Sequence, residues 1–178
     1  MKEDKRILDA CCGSRMFWFN KKHPNTLYID NRTMPPTKQT NGATIVVAPD
    51  IVMDFRKLDL PDDSFSLVVF DPPHILKRGG KRPWMKEKYG ELDRTTWRED
   101  LRKGFAELFR VLKQDGVLIF KWSESDILVK DVLALTPVTP LFGHRSGKAG
   151  KTLWVAFMKL NQITMPFQEL PVCPNPNT

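Results

Sequence analysis

A chain of 178 residues is long enough for one domain with a real core. Its formal charge of +7 and pI near 9.4 favour an acidic partner, nucleic acid first. Nothing reads as a signal peptide or a membrane span, because the longest apolar runs are strand-sized. Three cysteines lack any zinc or disulfide spacing, which suits a reducing cytoplasm.

Residues 6–13 read as a first strand running into a tight turn at Gly13, the position where the backbone can bend and approach a ligand closely. A short helix is expected over 14–21, carrying Met16, Phe17 and Phe19. The single glycine argues against a dinucleotide site, where pyrophosphate needs a whole glycine-rich turn. Residues 26–30 read as the second strand. Asp30 at its end can accept both hydroxyls of a ribose and lies at the right distance from Asp9 for one step of a parallel sheet. Asn31 and Arg32 line the same rim.

Residues 33–42 are polar and rich in turn formers, and a loop without an element of its own is expected. Pro49 keeps the apolar pieces on either side from being one strand, so the third sheet strand is set at 51–53, with 45–47 as an edge segment. The run Leu67-Val-Val-Phe70 suits a strand buried on both faces. It delivers Asp71, Pro72, Pro73 and His74 to the carboxyl edge of the sheet, where ligands of open α/β sheets bind. The two prolines cannot donate a backbone hydrogen bond and stiffen the turn.

Residues 75–94 form a basic loop in which Lys77, Arg78, Lys81 and Arg82 alternate with Gly79, Gly80, Trp84 and Tyr89. Cations neutralise phosphates and aromatic rings stack on exposed bases, so this is the candidate substrate loop. Residues 95–113 show a clear helical stripe, with Thr96 and Glu99 as a candidate capping box. Residues 117–122 are a fifth buried strand that ends on Lys121 and Trp122, both expected to emerge near the active face. Trp122 is either a substrate contact or a packing residue. Ser123 or Ser125 is expected to cap a helix reaching about residue 135. Two apolar runs, 140–144 and 152–158, flank a glycine-rich loop and read as a hairpin. The domain is expected to span 1–160, with 161–178 a poorly packed tail.

Asp71-Pro72-Pro73-His74 resembles the D/N-P-P-aromatic motif of class I S-adenosylmethionine-dependent methyltransferases that modify exocyclic amino groups of nucleobases. Asp9, Ala10, Cys11, Cys12, Gly13 and Ser14 resemble the cofactor motif of the same enzymes, although Ala10 replaces a common proline and Arg15 a common glycine. Residues 54–74 extend the likeness. It implies a Rossmann-like, doubly wound α/β fold with a seven-stranded sheet, mostly parallel and ending in an antiparallel hairpin strand. It further implies that S-adenosylmethionine meets Asp9 at its methionine end, Asp30 at the ribose, and Asp54 with Phe55 at the adenine. Asp71 and the Pro72 carbonyl then orient the amine, and His74 stacks on the base where Tyr, Phe or Trp is usual.

The expected activity is methyl transfer to a nucleobase amine, adenine preferred, in DNA or RNA. Specificity then rests with loop 75–94 or with a partner protein, and no metal is needed. Two other readings stay open. One is a methyltransferase acting on a protein amide or small amine, the other a non-catalytic nucleic-acid-binding or complex-forming module with the same fold.

Overall fold

The computed structural model describes residues 5–39, 42–77, 83–136, 138–147 and 149–160. Its centre is a seven-stranded sheet in the order β5-β2-β1-β6-β7-β9-β8. The strands are β1 (Ile7–Asp9), β2 (Thr26–Asp30), β5 (Ile51–Val52), β6 (Phe65–Phe70), β7 (Leu112–Ser123), β8 (Phe142–Ser146) and β9 (Thr152–Met158). The first five in spatial order are mutually parallel, and β9 runs antiparallel between β7 and β8. The chain leaves β1 toward β2 on one side and reaches β6 on the other. This places a topological switch point between β1 and β6, where Asp9 and Asp71 emerge. The α/β class and the antiparallel end match the sequence expectation.

β6 is apolar because it is central. Phe70 sits in the middle of an aromatic cluster, 5.2 Å from Phe55, 5.5 Å from Phe105 and 5.8 Å from Phe120 between ring centroids. Helix α2 (Trp97–Val111) supplies Phe105 and buries Trp97, Leu101, Leu108 and Val111 along the same stripe. Burial at about 25 cal/mol per Å² is what holds this helix on the sheet. Gly104 lies on that face because a Cβ there would stand 2.6 Å from the Phe55 ring.

Several local expectations are corrected. Residues 14–21 form turns and no helix. Arg15 takes a left-handed φ of 53°, which ends any helical run, and its guanidinium binds the Lys21 and Ala48 carbonyls across the loop. Residues 33–42 are not a bare loop: β3 (Met34–Lys38) pairs antiparallel with β4 (Thr44–Val47) in a separate two-stranded sheet. A two-stranded ribbon has only edges, so Pro35 and Pro36 are tolerated there.

Loop 75–94 carries a helix, α1 (Pro83–Tyr89). The capping box does not form: Thr96 makes no cap bond and instead donates its hydroxyl to Asp100 at 2.8 Å. Neither Ser123 nor Ser125 caps α3 (Val129–Leu133), because Glu124 Oε1 takes the Val129 N–H at 2.9 Å. The expectation for the tail, 161–178, lies outside the described residues.

Candidate functional site

The carboxyl edge of the sheet opens into a cavity of about 260 Å³. Cys11, Cys12, Gly13, Asp30, Asn31, Phe55, Asp71 and Pro73 line it, all of them expected from sequence. Parallel strands bring them together because their carboxyl ends share one edge. Gly13 turns with φ of 47°, and the space where a Cβ would stand is open.

Asp30 ties two loops to the cavity. One carboxylate oxygen accepts the Gly13 N–H at 3.0 Å, and the other accepts the Arg32 N–H and Nε–H at 3.2 and 3.3 Å. Arg32 then donates to the Lys86, Glu87 and Lys88 carbonyls at 3.4, 2.9 and 3.1 Å. The Glu87 and Lys88 carbonyls belong to the last turn of α1, where a helix leaves carbonyls without partners of its own, and the Lys86 carbonyl also accepts the Gly90 N–H at 2.8 Å. The helix end rests on the Asp71-Pro72-Pro73-His74 turn: a Cβ on Gly90 would come within 3.1 Å of Pro73. Arg32, Lys88, Tyr89 and Glu91 therefore wall the cavity as well.

Asp9, expected at the methionine end of the cofactor, is fully buried and is not in the cavity wall. Its Oδ2 accepts the Trp18 indole N–H at 2.7 Å, and its Oδ1 has no hydrogen-bond partner among the described residues. Burial pushes its pKa up to about 7. Asp71 is also shielded, and burial raises its pKa while Lys121 pulls the other way. Lys121 Nζ is 2.6 Å from Asp71 Oδ2. The lysine lies beside Phe17 and Trp154, 5.6 and 5.8 Å from the ring centroids, and those two rings meet edge to face at 5.6 Å.

Burial pushes the Cys12 thiol up to about 12 and the Cys11 thiol well above its usual range. At neutral pH neither is a thiolate, so neither is a nucleophile.

Other expected residues sit elsewhere. Asp54 turns outward to pair with Arg56 and meets the Asn31 side chain, beside the cavity and not in its wall. Ala10 and Pro72 are buried. His74 does not offer a face to a base: it is only 6% exposed, tilted against Tyr89 at 5.1 Å and edge-on to Trp122 at 6.3 Å. Burial lowers its pKa to about 4, so it is neutral near pH 7. Trp122 is fully buried and donates its indole N–H to the Ile127 carbonyl at 3.0 Å, which is the packing role. Lys77 is exposed and outside the cavity wall. Arg78, Lys81, Arg82 and the side chain of Trp84 lie outside the described residues.

Sequence reasoning set Lys121 near the active face as a charge ending a buried strand, but gave it no partner. Phe17 and Trp154 carried no comparable mark, since their meeting depends on β9 pairing Trp154 opposite Lys121.

No protein-family model matches the chain, and no curated protein matches it significantly. Solved structures do match. A Pyrococcus horikoshii protein aligns with TM-score 0.54 at 15% identity, over 86% of this chain and 81% of that one. A SAM-dependent methyltransferase of Methanosarcina mazei aligns with TM-score 0.52 at 14% identity, over 91% and 95%. The 1,6-didemethyltoxoflavin-N1-methyltransferase of Burkholderia thailandensis, solved with S-adenosylhomocysteine, aligns with TM-score 0.53 at 12% identity, over 87% and 71%. At these identities the likeness is one of fold: the chain has the Rossmann-like fold found in S-adenosylmethionine-dependent methyltransferases. No helix among the described residues is long and apolar enough to cross a membrane.

Proposed function

We propose that the protein is an enzyme that transfers a methyl group from S-adenosylmethionine to an exocyclic amino nitrogen of a nucleobase, adenine preferred, in DNA or RNA. The observation that carries this reading is the position of Asp71. A carboxylate on a proline-stiffened turn shares one cavity with Gly13 and Asp30, and its Oδ1 has no partner among the described residues.

The cavity suits a cationic, phosphate-free cofactor. Asp30, Asp71 and Glu91 are in its wall. Asp30 can add ribose hydroxyls to its present bonds, because a carboxylate has about four acceptor sites. Asn31 and Phe55 would hold the adenine, and Gly13 lets the backbone come close. When bound, S-adenosylmethionine supplies a methyl group on a sulfonium, open to direct displacement by nitrogen.

An exocyclic amine is a poor nucleophile because its lone pair is delocalised into the ring. Asp71 and the Pro72 carbonyl are acceptors for its two N–H groups, and such bonds free the lone pair and stabilise the charge that develops on nitrogen. Lys121 holds one carboxylate oxygen and counters the burial that would otherwise protonate it. A base within a duplex is out of reach, so the substrate is flipped or unpaired.

A second reading, a small aromatic amine, draws on two observations. His74 is packed away from substrate, and Phe17 with Trp154 makes a compact aromatic rim by Lys121. Calorimetry with S-adenosylmethionine tests the proposal at its base. Asp30→Ala is expected to weaken binding more than tenfold and Asp71→Ala to leave it within a few-fold, as a division between cofactor and acceptor roles requires. Absence of binding by the wild type would leave only a non-catalytic module.

A further inference from the structure

A second cavity, of about 430 Å³, lies on the other side of the Gly13 turn. It runs between the loop after β1 and the β3–β4 ribbon and shares Gly13, Ser14, Met16 and Lys88 with the first. Asn31, Phe55 and Asp71 are absent from its described lining, so it is not an extension of the expected adenine or amine positions. Nor does any carboxylate occur in that lining, which carries Arg15, Lys21, Lys22 and Lys88.

Arg15 is committed to structure. It bonds the Lys21 and Ala48 carbonyls, pairs with Asp50 at 2.9 Å, and stacks 3.7 Å over the Tyr28 ring. Its effect is to fix the loop that carries the two lysines. The Lys22 N–H is also tied, to Asn20 Oδ1 at 2.9 Å. Lys21 and Lys22 are exposed and form no ion pair among the described residues. On the same loop, outside the cavity wall, Phe19 stands fully in solvent at 111% relative exposure. A free aromatic ring beside unpaired lysines on a braced loop combines the two elements of single-strand recognition, a cationic track for phosphates and a face on which a base stacks.

We infer that the groove between the Met16–Lys22 loop and the β3–β4 ribbon binds the phosphate backbone of an unpaired nucleic-acid strand, with Lys21 and Lys22 on phosphates and Phe19 stacked on a base. This rests on the nucleobase reading above and moves the strand contact away from loop 75–94, where the sequence had suggested it. The groove shares the Gly13, Ser14, Met16 and Lys88 walls with the cavity that holds Asp71, so a strand bound there would lie beside that cavity and could present a neighbouring base to it.

The test is fluorescence anisotropy of the full chain with a labelled single-stranded oligonucleotide across a salt series. Binding of S-adenosylmethionine is measured in parallel as the sign of an intact fold. Lys21→Gln with Lys22→Gln is expected to weaken strand binding about tenfold or more at low salt. It is also expected to flatten the log–log salt slope by about 1.4, or ~0.7 per phosphate contact. Phe19→Ala is expected to weaken binding roughly 5- to 100-fold with the slope unchanged. A mononucleotide and polyglutamate are expected to compete poorly.

Wild-type strand binding that neither substitution alters would overturn the groove while leaving the nucleobase reading intact. Equal competition by polyglutamate would overturn it too, since charge alone would then account for binding. A protein that binds S-adenosylmethionine but no strand at all would overturn the groove and the nucleobase reading together.

Discussion

Lys121 Nζ and Asp71 Oδ2 lie 2.6 Å apart at the carboxyl edge of the sheet, with side chains only 19% and 13% exposed. Lys121 projects from β7 beside Trp154 of β9, and Asp71 follows β6, so the pair spans two adjacent strands. Burial raises the Asp71 pKa, and the lysine opposes that rise. The proposed chemistry needs Asp71 ionised, as an acceptor for the substrate amine.

Removing the lysine should therefore move the pH profile in a known direction. Transfer by the wild type is expected to rise with pH as Asp71 loses its proton. In Lys121→Met the Asp71 pKa climbs further, so the acidic limb of kcat against pH shifts to higher pH, while the rate at the alkaline plateau changes less. An unshifted limb would show that Lys121 does not tune Asp71.

Arg32 is the link between Asp30 and the end of α1. Its planar fork reaches three carbonyls and the Asp30 carboxylate at once, one acceptor more than the three N–H bonds of a lysine head can serve. Arg32→Lys is expected to weaken S-adenosylmethionine binding roughly tenfold, the scale of one lost charged hydrogen bond. Hydrogen exchange at residues 86–90 should speed up in the same variant. Protection equal to the wild type would show that the helix end is held by other contacts.

Gly104 connects the core to the site. A Cβ there would stand 2.6 Å from Phe55, a residue that lines the cavity. Alanine normally helps a helix by ~1 kcal/mol, yet Gly104→Ala is expected to lose about 1–2 kcal/mol net through overpacking. Urea unfolding reads the loss, and cofactor affinity should fall with it as Phe55 shifts. A stabilised variant would mean that Phe55 yields freely.

Asp9 and His74 oppose each other in acid. The Asp9 pKa is raised from 3.8 to about 7, so its contribution to stability is complete below 3.8 and lost as pH climbs through 7. The His74 pKa is lowered from 6.5 to about 4, so its contribution is complete above 6.5 and lost as pH falls through 4. Between those limits each contributes a slope of up to about 1.4 kcal/mol per pH unit, with opposite signs. The wild type should change little over this range because of them, and Asp9→Asn should become steadily more stable as pH rises from 4 to 6.5. Parallel stability curves for the two proteins would contradict the burial of one or both charges.

The fold was legible because its signals are local and repeated. The run ending at Phe70, the stripe on α2 and the terminal hairpin each follow from periodicity. Gly13, Asp30 and Asp71 were legible for a different reason, as they sit at strand ends where topology forces convergence. What escaped depended on long-range partners. His74 reads as an exposed ring after a turn, but Tyr89, fifteen positions later, folds over it. Ser123 reads as a cap, but Glu124 reaches the helix first. The helix expected after Gly13 failed because Arg15 found its partners at Ala48 and Asp50.

The most direct measurement is to incubate the protein with isotopically labelled S-adenosylmethionine and mixed DNA and RNA, digest the nucleic acid and identify modified nucleosides by mass spectrometry. The expected product is a nucleoside methylated on its exocyclic amine, N6 of adenine first, present with the wild type and absent with Asp71→Ala. Label that stays out of every nucleoside, or the same yield from Asp71→Ala, would contradict the proposal.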